Sequence, residues 1–255
     1  MNKPRYKTWI RTRLLLLLSI LTAVSVLLSL LSVFNRLFAI FVIPAGAFGY
    51  ILLLLALAKW RFSESGGNYQ SKIHRLIASR AEGGRILDIG CGSGHLLSLI
   101  ARRLPESELV GIDYWGGNWE YSKELCIRNF KAENIRNKVE FRKETASNLP
   151  EDIGMFDCVV SCMTFHEVRD VGDKTVSIRE ALKHLKPGGK FVFIDLFRSP
   201  MYYPDYGKID QAIASRNGVV TERAKLSELL DLPFPLKHRQ ALGYAELIAG
   251  RMDGA

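Results

Sequence analysis

The chain has 255 residues and a formal net charge of +9 at neutral pH, a length that admits one large domain or two smaller ones. Such a charge points to a nucleic-acid partner only until its distribution is read. Lys3, Arg5, Lys7, Arg11, Arg13, Arg36, Lys59 and Arg61 all fall within residues 1–63, which hold no acid, and the rest of the chain is close to neutral. The basic charge therefore flanks an apolar region, and no nucleic-acid partner is expected.

Residues 1–13 are polar and basic, and two uncharged runs follow, Leu14–Phe34 and Leu37–Ala58, separated only by Asn35 and Arg36. At ~1.5 Å per residue each run is long enough for a helix to cross the ~30 Å hydrocarbon core of a bilayer. A signal peptide has a much shorter apolar stretch, so the pair predicts a retained transmembrane hairpin, with residues 1–62 as a membrane anchor. One helix bent at Pro44 is the alternative, but Pro44 lies inside the second run rather than at the break. Ser19, Thr22, Ser25, Ser29 and Ser32 share one helical face, as do Gly46, Gly49 and Ala56 in the second run. Small faces of this kind let membrane helices approach closely, their hydroxyls bonding across or back to their own helix. Five Lys/Arg precede the first helix, Lys59 and Arg61 follow the second, and Arg36 alone lies in the turn. The positive-inside rule then places both termini and the remainder of the chain in the cytoplasm.

Residues 63–255 read as a separate α/β domain after the polar linker Ser63–Asn68. Ile73, Leu76 and Ile77 give residues 70–81 an amphipathic helical pattern. Arg85-Ile-Leu-Asp-Ile-Gly-Cys-Gly-Ser-Gly-His95 then predicts a buried strand, a tight turn and the first turn of a helix. Glycine takes positive φ without strain and lets a ligand approach the backbone, and the helix start offers free N–H groups. Dinucleotide folds use Gly-x-Gly-x-x-Gly at such a turn. Here the spacing is Gly-x-Gly-x-Gly, with His95 where that pattern has its third glycine, and Asp88 stands just ahead. A carboxylate there favours a cationic ligand over a phosphate.

Asp88-x-Gly90-x-Gly92-x-Gly94 resembles motif I of the class I S-adenosylmethionine-dependent methyltransferases. The resemblance covers residues 68–252 and implies a Rossmann-like, seven-stranded, mostly parallel sheet with helices on both faces. It implies that Asp88 anchors the donor's ammonium, directly or through water, while the three glycines make room for it. The helix at residues 70–81 covers the cofactor in this family, which makes Tyr69 and Lys72 candidate contacts.

Leu109-Val-Gly-Ile-Asp113 predicts the second strand, ending in an acid that suits ribose hydroxyls in either cofactor class. Tyr114 is a candidate adenine contact, and Trp115 a lesser one. Val139–Pro150 predicts the third strand and a polar loop, where the family has Asp-Ala and this chain has Thr145-Ala146. By resemblance Thr145 and Ala146 lie near the adenine. Phe156–Ser161 predicts the fourth strand, with Ser161 presenting backbone near the methionine part. The following Cys-Met-Thr-Phe-His-Glu-Val lacks the Asn/Asp-Pro-Pro-Tyr of amine-directed DNA enzymes. His166 is the candidate general base. A helix over 178–185, a turn at Lys186-Pro-Gly-Gly189 and a fifth strand over 190–195 follow, and Leu-Lys-Pro-Gly-Gly is a second match to the family. Asp195 can face the acceptor pocket or cap the next segment. Tyr202, Tyr203 and Tyr206 are candidate pocket residues by position alone. The tail predicts a helix over 223–230 and two strands, 236–242 and 245–250, paired antiparallel.

Cys91, Cys126, Cys158 and Cys162 show no metal-ligand spacing, so neither a disulfide framework nor a metal site is expected, and a reducing compartment is implied. Three functions compete. The pattern favours a membrane-anchored methyltransferase acting on a small lipophilic acceptor. An NAD-dependent oxidoreductase and a non-catalytic membrane tether are the alternatives.

Overall fold

The computed structural model describes residues 3–116 and 119–254. Two compact units divide the chain: residues 8–70 with 234–236, and residues 1–7 with 71–233 and 237–255. The segment before the first apolar helix thus groups with the larger unit rather than with the hairpin.

In the smaller unit α1 (Thr12–Leu30) and α2 (Val42–Phe62) are joined by tighter 3-10 turns at Leu31–Val33 and Arg36–Phe41. The Asn35 side chain accepts the Leu37 N–H at 3.0 Å and caps the second turn. Pro44 falls in the first turn of α2, where its missing N–H removes no helical bond, and so the chain reverses before it rather than at it. The spans Thr12–Val33 and Arg36–Phe62 have mean hydropathies of 2.8 and 2.4 and are long enough to cross a bilayer. Leu16, Leu17, Leu27 and Leu53 each expose more than half their surface, an apolar exterior that lipid would cover. Ser19, Thr22 and Ser29 donate to the carbonyls of Leu15, Leu18 and Val26, satisfying their hydroxyls within α1. A Cβ built on Gly49 would lie 3.6 Å from Thr22 Cγ2, so these small residues do meet across the hairpin. At its open end Lys59 Nζ donates to Thr12 Oγ1 at 2.6 Å.

The larger unit is built on seven strands: β1 (Arg85–Ile89), β2 (Glu108–Asp113), β3 (Val139–Lys143), β4 (Phe156–Cys162), β5 (Leu185–Asp195), β6 (Gly218–Lys225) and β7 (Glu246–Met252). Their order is β3-β2-β1-β4-β5-β7-β6. The first five run parallel, while β7 is antiparallel to both β5 and β6. Helices α3 (Tyr69–Ala78), α4 (His95–Arg103), α5 (Lys123–Ala132), α6 (Thr175–Lys183), α7 (Gly207–Ala214) and the single turn α8 (Leu226–Leu229) complete it. The central strands read as continuous apolar runs because both their faces are buried. Leu87, Ile89, Val110 and Ile112 pack with Ile178 and Leu182 of α6 and Ile209 of α7. On the opposite face Gly111 admits α4 so closely that a Cβ there would sit 2.7 Å from Leu97 Cδ1.

The tail departs from expectation. The partner of β7 is Gly218–Lys225, whereas residues 236–242 form turns and the expected helix shrinks to Leu226–Leu229. An edge strand buries little, so β6 carries only a weak alternation, and its three apolar residues, Val219, Val220 and Ala224, do not outnumber the three within 236–242. The Lys186-Pro-Gly-Gly189 turn is absorbed into β5, where the pairing with β4 shifts register between Phe156 and Cys158. Proline and glycine there mark a bulge instead of a strand boundary.

Candidate functional site

The singled-out residues gather at the C-terminal ends of β1 to β5, around the reversal of strand order between β1 and β4, the position where open parallel sheets form a ligand crevice. The loop leaving β1 folds tightly over β2. The Gly90 and Cys91 N–H groups both donate to the Ile112 carbonyl, at 2.8 and 2.9 Å. Gly90 has φ +78°, and a Cβ there would fall 2.0 Å from Thr164 Oγ1, so only glycine fits between β1 and the loop after β4. Gly94, at φ +82°, turns the chain into α4.

Asp88 is 1% exposed, and among the described residues neither carboxylate oxygen has a hydrogen-bond partner. Burial pushes its carboxyl well above the usual range, and the neighbouring Asp113 adds to the rise. Asp113 ends β2 and accepts the Gly92 N–H at 2.9 Å and the Trp115 N–H at 2.8 Å. Burial outweighs these donors and raises its pKa as well. Each oxygen keeps a further lone pair for a ligand hydroxyl.

The aromatic side chain that closes on this loop is Trp115, whose indole N–H donates to the Gly92 carbonyl at 2.9 Å. Tyr114 instead stands 69% exposed, with Lys143 Nζ 5.4 Å from its ring centre. Tyr121 lies over Gly92, where a Cβ would meet its ring at 3.6 Å, and stacks on Trp119. After β3 the hydroxyls of Thr145 and Ser147 both donate to Asp170 Oδ2, at 2.7 and 2.6 Å, tying this loop to the one after β4, while Ala146 is buried in the core. Ser161 is buried in β4, its hydroxyl donating to the Ile89 carbonyl at 2.9 Å.

His166 sits in the turn Phe165–Glu167 that follows β4. Its Nδ1 lies 2.6 Å from Oδ1 of Asp195, which ends β5 and is 1% exposed. Asp195 also accepts the backbone N–H groups of His166 and Leu196. Burial alone would lower the imidazole pKa, but Asp195, helped by Glu167 and opposed by Lys174, carries it above the ordinary value. The Tyr202 ring centre is 5.0 Å from that of His166.

Residues 86–189 match the family model described as a methyltransferase domain. This region is a class I, S-adenosylmethionine-dependent methyltransferase domain. Among curated proteins, a ubiquinone biosynthesis O-methyltransferase of Alkalilimnicola ehrlichii is 33% identical over 123 residues, 48% of this chain and 45% of that protein. A ribosomal RNA small subunit methyltransferase C of Serratia proteamaculans is 30% identical over 147 residues, 56% of this chain and 39% of that protein. The chain therefore spans about half the length, or less, of the curated relatives it matches. The solved StiE O-MT structure (residues 942–1257) has the same fold, with a TM-score of 0.56 at 16% identity, covering 76% of this chain and 80% of that one.

The methyltransferase domain fits its methyl donor on two observations of its own. Asp88 is a buried carboxylate without a partner among the described residues, which a cationic ligand would compensate. The glycine turn beside it leaves backbone accessible where side chains would block it. Thr164, Tyr121 and Asp170 were not legible in the sequence, because each acts through a loop contact with no local pattern. Asp195 did carry a signal, being an acid at the end of a parallel strand like Asp88 and Asp113.

Proposed function

We propose that the protein is a membrane-anchored methyltransferase that methylates a small lipophilic acceptor bearing an ionisable hydroxyl. The observation that carries the reading is the unpartnered Asp88 carboxylate beside the glycine turn of a methyltransferase domain. When bound, S-adenosylmethionine supplies an activated methyl group on a sulfonium centre. Asp88 offers the negative charge that holds the cationic end, and Gly90, Gly92 and Gly94 allow its close approach. Asp113 accepts ribose hydroxyls, while Trp115 and Tyr121 help to exclude water from the loop. Thr145, Ala146 and Ser161 complete the donor side.

His166 is the base. Asp195 engages Nδ1 and fixes the tautomer, so that Nε2, 3.6 Å from Glu167 Oε1, takes the acceptor's proton. Tyr202 lies beside the imidazole and lines the acceptor side.

The acceptor class rests on two supports: the apolar hairpin, and the relative named for ubiquinone biosynthesis. A relative named for ribosomal RNA also matches, but the near-neutral charge outside residues 1–63 favours a small molecule. The basic flanks of the hairpin support a cytoplasmic catalytic domain. The dinucleotide reading is disfavoured by Asp88 and the glycine spacing.

The test is calorimetric titration of the full chain in lipid nanodiscs with S-adenosylmethionine, S-adenosylhomocysteine and NAD, beside Asp113→Ala. Micromolar binding of the first two, lost in the variant, is expected. Binding of NAD alone would overturn the reading, and binding of none by a folded protein would leave the hairpin a tether.

A further inference from the structure

The segment that precedes α1 does not trail away from the catalytic unit. It lies across the glycine turn. Arg5 and Asn129 of α5 make a two-way bridge, the Arg5 N–H donating to Asn129 Oδ1 at 2.7 Å and Asn129 Nδ2 donating to the Arg5 carbonyl at 3.2 Å. The same Nδ2 donates to the Ser93 carbonyl at 2.9 Å, so one buried amide, 2% exposed, joins the segment to the turn. On the other side of Gly94 the Tyr6 ring stacks on His95, with centres 4.3 Å apart and planes 22° from parallel. His95 in turn meets His74 of α3, Nδ1 to Nδ1, at 3.2 Å. Lys7 reaches Glu120 at 3.6 Å, just ahead of Tyr121, the ring that covers Gly92.

We propose that residues 3–7 are a working part of the methyl-donor site, a strap that positions the turn Cys91–His95 through Asn129 and His95. The inference rests on the donor reading of that turn. Ser93 and His95 flank Gly94, and glycine gives this stretch a backbone with few intrinsic restraints. Two contacts from a distant segment, one polar and one aromatic, remove that freedom before a ligand arrives. Such preorganisation raises affinity by lowering the ordering cost of binding. Tyr6 and Asn129 are therefore positioning residues, acting on the donor through the turn. Chain order adds a consequence: residues 8–70 leave from and return to the catalytic unit. The hairpin is then an insertion between two parts of the donor site and no simple N-terminal appendage.

The full chain in nanodiscs tests this with Tyr6→Ala, Asn129→Ala and Tyr6→Phe, the last keeping the ring stack. Two readouts are needed, the donor dissociation constant and amide hydrogen exchange of residues 90–98 without ligand. Loss of the hydrogen bond that holds the Ser93 carbonyl, in Asn129→Ala, or of the ring stack on His95, in Tyr6→Ala, predicts donor binding weaker by about tenfold. Exchange in residues 90–98 should accelerate while that of β5 and β7 is unchanged, and Tyr6→Phe should restore both readouts. Wild-type affinity and wild-type exchange in both alanine variants would overturn the strap. If the wild-type protein binds no donor, the donor reading fails by itself, and the exchange measurement still decides whether the segment holds the turn.

Discussion

Replacing Asp195 with asparagine isolates the charge that governs His166. The substitution keeps size and removes the carboxylate that lies 2.6 Å from Nδ1 and is itself 1% exposed. A hydrogen bond to a charged partner at a buried site contributes about 1.5–3 kcal/mol, and the substitution removes that preference for the protonated imidazole, so the His166 pKa falls. The direction is fixed by what remains, since burial lowers the imidazole and only Asp195 and Glu167 raise it. In the wild-type protein the folded pKa is raised, so the stability contributed by protonated His166 is present below pH ~6.5 and lost as pH rises through the folded value. The neutral base needed for proton removal accumulates over that same upward range. The assay is an NMR titration of the His166 ring protons in the full chain, which needs no acceptor. A methyl-transfer pH profile follows once an acceptor is found. In Asp195→Asn the titration should move to lower pH, and activity should fall by about 10²-fold or more because the tautomer is no longer held. An unmoved titration would show that Asp195 does not set the His166 charge and would refute the reasoning.

Three further outcomes follow from the same geometry. Asp88→Asn removes a buried, unpartnered acid whose pKa is raised, so without ligand the variant should match or exceed wild-type thermal stability at pH 8, where the unfolded chain carries Asp88 ionised and burial opposes that charge in the folded one, yet bind the donor more weakly. A variant that is much less stable at that pH would mean that Asp88 already has a partner. Gly90→Ala places a Cβ 2.0 Å from Thr164 Oγ1 at positive φ, and should cost about 1–3 kcal/mol in a denaturant melt; Thr164→Gly in the same chain should recover the clash but not the backbone strain. His95 is held down to about 4 chiefly by burial, with Arg75 and Arg102 adding to it. The unfolded chain takes up that proton near pH 6.5 and the folded one does not, so stability should fall by up to ~3 kcal/mol between pH 6.5 and 4, a slope that His95→Gln should flatten.

Much of the site was legible in the sequence because its chemistry is local. The glycines, Asp88 and Asp113 sit at fixed offsets from short apolar strands, and a parallel sheet brings strand ends together whatever the loops do. The hairpin was legible for a similar reason, since its length and lack of charge answer to bilayer thickness alone. The edge of the sheet was not. The choice of β6 over residues 236–242 depends on which segment reaches β7, and a half-exposed strand has little apolar pattern to announce it. Tyr114 and Trp115 illustrate the same limit: adjacent aromatics were both candidates, and the turn after β2 exposes one and seats the other on Gly92.

By itself, then, the sequence determined two apolar runs of membrane length, an α/β domain and a glycine turn led by a carboxylate, all of which follow from composition and spacing within a few tens of residues. The tertiary structure alone decided that Asp195 partners His166, that Asp170 ties the loop after β3 to the loop after β4, and that residues 3–7 lie across the glycine turn. These pairs are separated by up to 124 residues, as between Arg5 and Asn129, and no periodicity or local propensity connects them. Such contacts exist only because the sheet sets the strand ends and the loops then meet above it.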